Sequence, residues 1–244
     1  MHVNLVLTPE GRSSLDAGLA PASVPAPPAG AFAPGDIALI LIEDAVRGPV
    51  LLPARFGRRQ GKAGRLVAAV RADALHRDAS LRDAFVRRRC AVPADGLYLF
   101  ATRGRGPRPP LLRRPDGGTF LLLALWEEQV DERTGEHHAA FTLLSTATGA
   151  GRADGGPVLP ALVPPSSEAA KRWLRPSAPG DFAAEALLGL LAAAPGDFLV
   201  APPGAPTVDT VRPATPPRIR LARRPPAASA APPPRRRPEQ LSLF

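Results

Sequence analysis

The chain has 244 residues, 45% of them apolar, with 32 prolines, 22 glycines, one cysteine and a formal charge of +9. That length can bury one domain-sized core, the proline and glycine content argues against a helical bundle, and a single cysteine excludes an internal disulfide. No apolar run approaches the roughly 20 residues of a membrane span, and the first residues lack a basic leader and a long apolar stretch, so a cytoplasmic protein without a membrane partner is expected.

His2-Val3-Asn4-Leu5-Val6-Leu7 is β-prone and reads as a strand. The Pro/Ala stretch 20–30 holds too few branched residues to pack and reads as a linker within the domain. Ile37 to Ile42 reads as a buried strand and Val50 to Ala54 as a second. Arg55-Phe56-Gly57 then leads into Arg58, Arg59, Lys62 and Arg65, a basic stretch suited to phosphate contacts without base discrimination, or else a solvated loop. After Ala69-Val70-Arg71-Ala72-Asp73-Ala74, the sequence Ser80-Leu81-Arg82-Asp83 predicts a helix start of the capping-box type, with Leu81, Ala84 and Phe85 on one face. Arg87, Arg88 and Arg89 fall at the end of that helix, where cations offset its dipole as well as offering contacts to a polyanion.

Arg89-Cys90-Ala91-Val92-Pro93-Ala94-Asp95-Gly96-Leu97-Tyr98-Leu99-Phe100 reads as two strands joined by a tight turn, Asp95-Gly96 supplying its positive φ. Cys90, inside the first of them, reads as a core thiol and not a nucleophile. Leu111 to Arg114 predicts a strand, Pro115 to Gly118 a turn, and Phe120 to Trp126, apolar throughout, a strand buried on both faces. Residues 127–138 read as a polar hairpin loop in which His137 and His138 point apart and so do not pair on a metal; no metal or cofactor is expected. Ala140 to Thr146 is the next strand. Ser166 or Ser167 caps a helix ending near Leu174, Asp181 caps a longer one from Phe182 to Ala194, and Phe198 to Ala201 and Thr207 to Arg212 read as the last strands. Residues 213–239 hold nine prolines and seven arginines against one acid. They read as a disordered tether that carries most of the charge excess, leaving the domain 1–212 nearly neutral. Gln240-Leu241-Ser242-Leu243-Phe244 follows.

The run Arg89-Cys90 to Pro93-Ala94-Asp95-Gly96 and Tyr98 resembles the signature of the SOS response-associated peptidase family, the abasic-site processing proteins, and the likeness extends from about Ala33 to Leu174. The resemblance implies an α+β fold, a mostly antiparallel β domain with a few peripheral helices. It also implies a chemistry: in that family a cysteine at position 2 captures the aldehyde of an abasic site as a thiazolidine, assisted by an asparagine, a glutamate and a histidine. Here those positions hold His2, Ala69, Leu99 and, counting without a gap from Ser145-Thr146 to Leu159-Pro160, Gly156. His2 has no thiol and a side chain large enough to oppose removal of Met1, so the capture reaction is not available and no catalytic residue is assigned.

Arg55-Phe56-Gly57 resembles the family's Arg-Trp-Gly, but the apolar wedge that follows it in the family is replaced by charge. Non-covalent contact with damaged or single-stranded DNA is therefore expected through Arg55, Arg58, Arg59, Arg71, Arg87 and Arg88. Gln240, Leu241, Ser242, Leu243 and Phe244 resemble the peptide with which bacterial proteins bind the replication sliding clamp. The favoured reading is a monomeric, nucleoid-associated, catalytically silent member of the family that docks on the clamp. The alternative is an active abasic-site enzyme, a Schiff-base lyase through the Met1 amine or an autopeptidase, built on non-standard residues. Four lost positions weigh against retained chemistry, because such groups act as a unit.

Overall fold

The computed structural model describes residues 2–11, 13, 30–61, 64–100, 109–131, 134–145, 160–165, 167–175, 187, 189–191 and 198–201. In chain order the strands are β1 (His2–Leu7), β2 (Gly30–Phe32), β3 (Ile37–Asp44), β4 (Gly48–Phe56), β5 (Arg58–Gln60), β6 (Arg65–Val67) and β7 (Ala69–Arg71). A 3-10 turn (Ala72–His76) and helix α1 (Ala79–Arg87) precede β8 (Arg89–Ala94), β9 (Gly96–Phe100), β10 (Phe120–Val130), β11 (His137–Ser145) and β12 (Leu162–Val163). Helix α2 (Glu168–Leu174) and a 3-10 turn (Gly189–Leu191) complete the described elements.

The architecture is α+β. Strands in the order β12-β10-β8-β3-β4-β11-β7 form one sheet, and an additional β10–β11 pairing closes it into a barrel. Pairing is antiparallel except where β11 runs parallel to β4 and to β7. A smaller sheet, β2-β1-β9, packs against it. Strands buried on both faces must be apolar at every position. Phe120 to Leu125 in β10 meets that demand: Phe120, Leu122 and Ala124 join Val3, Leu5, Leu97 and Phe56 in one cluster. Leu121, Leu123 and Leu125 face the other way, onto Leu81 and Phe85 of α1 and Trp173 of α2. Inside the first cluster Phe56 stacks on Phe141 with ring centroids 5.0 Å apart.

The structure departs from the local expectations at several points, the first two at the crossing between sheets and at the start of α1. The Pro-Ala-Asp-Gly segment is not a hairpin turn: β8 pairs with β10 and β3, whereas β9 pairs with β1, so the chain leaves one sheet and enters the other. No positive φ is used there. Gly96 is needed instead for close approach, since a Cβ would lie 2.7 Å from Leu111 Cδ1 and 3.1 Å from the Leu112 carbonyl oxygen. Asp95 is buried at this crossing, its Oδ2 accepting from the backbone N–H and hydroxyl of Thr8 and its Oδ1 from the Thr119 hydroxyl. The cap of α1 is Asp78 rather than Ser80, accepting from the N–H groups of Ser80 at 2.9 Å and Leu81 at 3.2 Å. A carboxylate two residues earlier caps the first turn and meets the positive end of the helix.

β10 and β11 run on through residues expected in a loop, which shrinks to 131–136. Leu112 and Arg113 make only isolated bridges, to Leu97 and Val200. Ser167 caps α2 through Ala170 N–H, as expected. Of the expected linker 20–30, Gly30 begins β2 and the rest lies outside the described residues, as do the expected strand 207–212 and most of the expected helix 182–194.

Arg89 does what its two neighbours do not. Its guanidinium is buried between the ends of both helices, donating to the carbonyls of Phe85 and Val86 at the end of α1 and of Trp173 and Arg175 at the end of α2. Each helix leaves carbonyls unpaired and a partial negative charge at that end, and one planar fork of five donors serves both. Burial lowers the Arg89 pKa from its ordinary value. The Trp173 ring lies under the guanidinium, 5.9 Å from its carbon, and donates from Nε1 to the Cys90 carbonyl at 2.8 Å.

Candidate functional site

The β1–β9 register sets His2 beside Phe100 and Val3 beside Leu99. Leu99 is buried in the barrel cluster with Val3 and Leu143. Ala69, paired with Leu143 through the β7–β11 register, packs against the same cluster. Two positions where the resembling family keeps a glutamate and an asparagine thus carry hydrocarbon side chains in one apolar environment. Neither can donate, accept or carry a proton. Gly156 and the peptide Gln240 to Phe244 lie outside the described residues.

The expected DNA-contacting arginines divide into three groups. Arg58 is only 8% exposed, with its guanidinium 3.4 Å from Glu127 and 3.6 Å from Asp78. It is a strut joining the start of β5 to β10 and to the cap of α1, beside a small cleft lined by Leu81, Ala84, Leu125, Trp126 and Thr142. A residue so enclosed is poorly placed for a phosphate at the surface.

Arg71, Arg87 and Arg88 are paired with acids. Arg71 bonds Asp73 at 3.0 Å, an exposed pair in which the mutual hydrogen bond raises the arginine pKa and lowers that of the carboxyl. Arg87 and Arg88 share Asp83, whose pKa is held down first by its bond to Arg87. Exposed pairs of this kind are screened by solvent and contribute little to stability, and with two arginines on one carboxylate the Asp83–Arg87–Arg88 group keeps one net positive charge.

Arg55 and Arg59 form the third group. Arg55 donates Nη1 to the Gly35 carbonyl at 3.0 Å, and Arg59 is exposed, tethered through Nη1 to the Gly64 carbonyl at 3.3 Å. The β5–β6 hairpin that carries Arg59 is held against β10 by Gln129, whose amide accepts from Arg59 N–H at 3.1 Å and donates to the Arg59 carbonyl at 3.0 Å. The hairpin leaves the barrel at Gly57, where φ is +98° and a Cβ would come within 2.8 Å of Leu66 Cγ, so only glycine is accommodated without strain.

Sequence reading missed Gln129, Glu127 and His138 as parts of this surface, because residues 127–138 read as a loop and not as strands with one polar face. In the structure Glu127 and Gln129 are half-buried while Glu128 and Val130 are exposed, a period of two that polar residues on both faces hid in the sequence.

Cys90 is fully buried, and burial pushes its thiol well above the ordinary value, which suits an inert thiol. Among the described residues no group of three or more His, Cys, Asp or Glu side chains could hold a metal ion, and no helix is long and apolar enough to cross a membrane.

A family model described as SOS response associated peptidase matches residues 25–210. Among solved structures, a Bordetella bronchiseptica protein superposes with a TM-score of 0.63 at 19% identity, covering 82% of this chain and 97% of its own. A Bacteroides thetaiotaomicron protein gives 0.61 at 17% identity over 81% and 89% of the two chains. A phage-related protein of Bordetella bronchiseptica gives 0.55 at 20% identity over 82% and 91%. These likenesses are of fold. Comparison with the curated proteins finds no match.

Proposed function

The chain belongs to the SOS response associated peptidase family, and from that premise we propose that it serves the DNA-damage response by binding damaged or single-stranded DNA without covalent capture and by docking on the replication sliding clamp. The observation that carries the reading is the apolar environment of Leu99 and Ala69, where the family's reaction needs groups that handle protons. Arg55 and Arg59 offer charge at the surface of the same barrel, which favours backbone contacts to nucleic acid. The deciding experiment incubates the protein with abasic single-stranded DNA, with and without borohydride, and resolves the products on a denaturing gel. No shifted band is expected in either lane. A heat-stable adduct without borohydride, or one trapped only with it, would replace this reading with that of an active crosslinker or a Schiff-base lyase respectively.

Clamp docking is supported by the peptide Gln240-Leu241-Ser242-Leu243-Phe244. Leu243 and Phe244 are suited to an apolar pocket and Gln240 to its rim, with ordering costs holding the affinity of the peptide near the micromolar range, about −8 kcal/mol. Removing Leu243 and Phe244 should abolish clamp binding in calorimetry while leaving the thermal unfolding of the domain unchanged. Equal binding by the shortened chain would refute the docking role.

A further inference from the structure

Beyond the general affinity for DNA proposed above, on which this inference rests, one face of the barrel brings two arginines near a histidine whose Nε2 is unpartnered among the described residues. Gln129 pairs with His138 in the β10–β11 register, and Ala140, two residues further along β11, pairs with Arg55. Residues paired in register share a face, as do residues two apart on one strand, so Arg55, Gln129 and His138 lie together. The Gln129 amide brings in Arg59 by gripping its backbone. Of the acids near this face, Glu127 is engaged, accepting from Gln129 Nε2 at 2.6 Å and lying 3.4 Å from Arg58, while Asp131, two residues beyond Gln129, places a negative charge near His138.

His138 is half-buried, and its Nε2 is covered and has no hydrogen-bond partner among the described residues. Burial and then Arg55 push its pKa down, with a smaller push from Arg59; a backbone hydrogen bond at Glu136 and the charge of Asp131 act in the opposite direction. The neighbouring His137 is exposed. The net result is a neutral ring whose free nitrogen is an acceptor beside two guanidiniums, which only donate. An anion seated between the two guanidiniums would reverse the balance, repaying protonation of Nε2 and turning it into a third donor.

We propose that Arg55, Arg59 and His138 form a phosphate subsite that binds a phosphodiester of single-stranded nucleic acid together with one proton, taken up at His138 Nε2. Nε2 is covered in the free protein, so the phosphate reaches it through a side-chain rearrangement, in which Arg59, exposed and bonded at the Gly64 carbonyl, turns its guanidinium onto the anion. No bond to the phosphate forms; the proton comes from solvent. The sign follows from linkage. The ring titrates below its ordinary value in the free protein and higher in the complex, so binding tightens as pH falls between the two, by at most about tenfold per pH unit.

The test measures affinity of the full-length protein for an unmodified single-stranded oligonucleotide from pH 5.5 to 8.5 at constant ionic strength, alongside His138→Gln. The parent should gain affinity toward low pH more steeply than H138Q, with the two converging at high pH. In parallel, imidazole resonances followed by NMR should show the His138 pKa rising when the oligonucleotide is added. Identical pH profiles, with an unmoved His138 pKa, overturn the proton-linked subsite while leaving DNA binding intact. Absence of oligonucleotide binding at every pH overturns both readings. A His138 pKa that rises with inorganic phosphate but not with the oligonucleotide makes this a site for free phosphate and overturns the nucleic-acid assignment.

Discussion

Replacing Arg89 with alanine should cost about 4 kcal/mol of stability, the scale measured when one partner of a buried charged network is removed. The reason is the number of acceptors it serves. Phe85, Val86, Trp173 and Arg175 each lose a charged donor at the end of a helix, and at Phe85 and Trp173 the bond is buried from water. Arg89→Lys should not rescue the loss, because a single ammonium cannot reach carbonyls on two helices that a planar guanidinium spans. Urea unfolding followed by tryptophan emission reads this directly, since Trp173 lies under the same guanidinium. R89K matching the parent midpoint would show that charge alone, and not the fork, holds the helix ends.

Asp95→Ala should cost about 3 kcal/mol, through stranded donors at Thr8 and Thr119 whose desolvation is no longer compensated. Asp95→Asn should be far milder, about 1 kcal/mol, for a specific reason. One amide oxygen can keep both Thr8 donors, while the Thr119 hydroxyl turns and accepts from the amide nitrogen. Hydrogen exchange should locate the damage in D95A at β1, because the carboxylate receives the chain where that strand ends and Asp95 N–H donates to the Val6 carbonyl at 2.8 Å. The carboxylate also lies hard against Gly11, where a Cβ would overlap Asp95 Oδ1, so no larger residue fits beside it. Uniform loss of protection across the barrel in D95A, with β1 no worse than the rest, would contradict this local role.

The sequence was most legible where one residue type has one use. The strand at His2–Leu7 and the doubly buried start of β10 were readable from apolar pattern alone. It was least legible where a residue's partner is remote. Nothing near Arg58 in sequence announces Glu127 or Asp78, so it read as a surface cation. Asp95-Gly96 has turn chemistry, and only the pairing of β9 with β1 converts it into a passage between sheets. The losses at Ala69 and Leu99 were visible as identities; that both sit in one apolar cluster required the barrel to close.

That closure also constrains the order in which the chain can be made and folded. β1 finds its antiparallel partner β9 only about a hundred residues later, and β11 must lie parallel to β4 and β7 from far along the chain. Until Gly96 to Phe100 has emerged from the ribosome, Val3 and Leu5 have no β9 to cover them, and the barrel stays open until β11 follows. Pairings of such separation form slowly and leave apolar strands uncovered in the interim. The β10–β11 hairpin, joined by a short loop, is the local unit about which the earlier strands can assemble. Synthesis therefore runs ahead of folding in this protein: the barrel cannot close before β11 is complete, and the outer face of β10 waits longer still, for β12 and for Trp173 of α2.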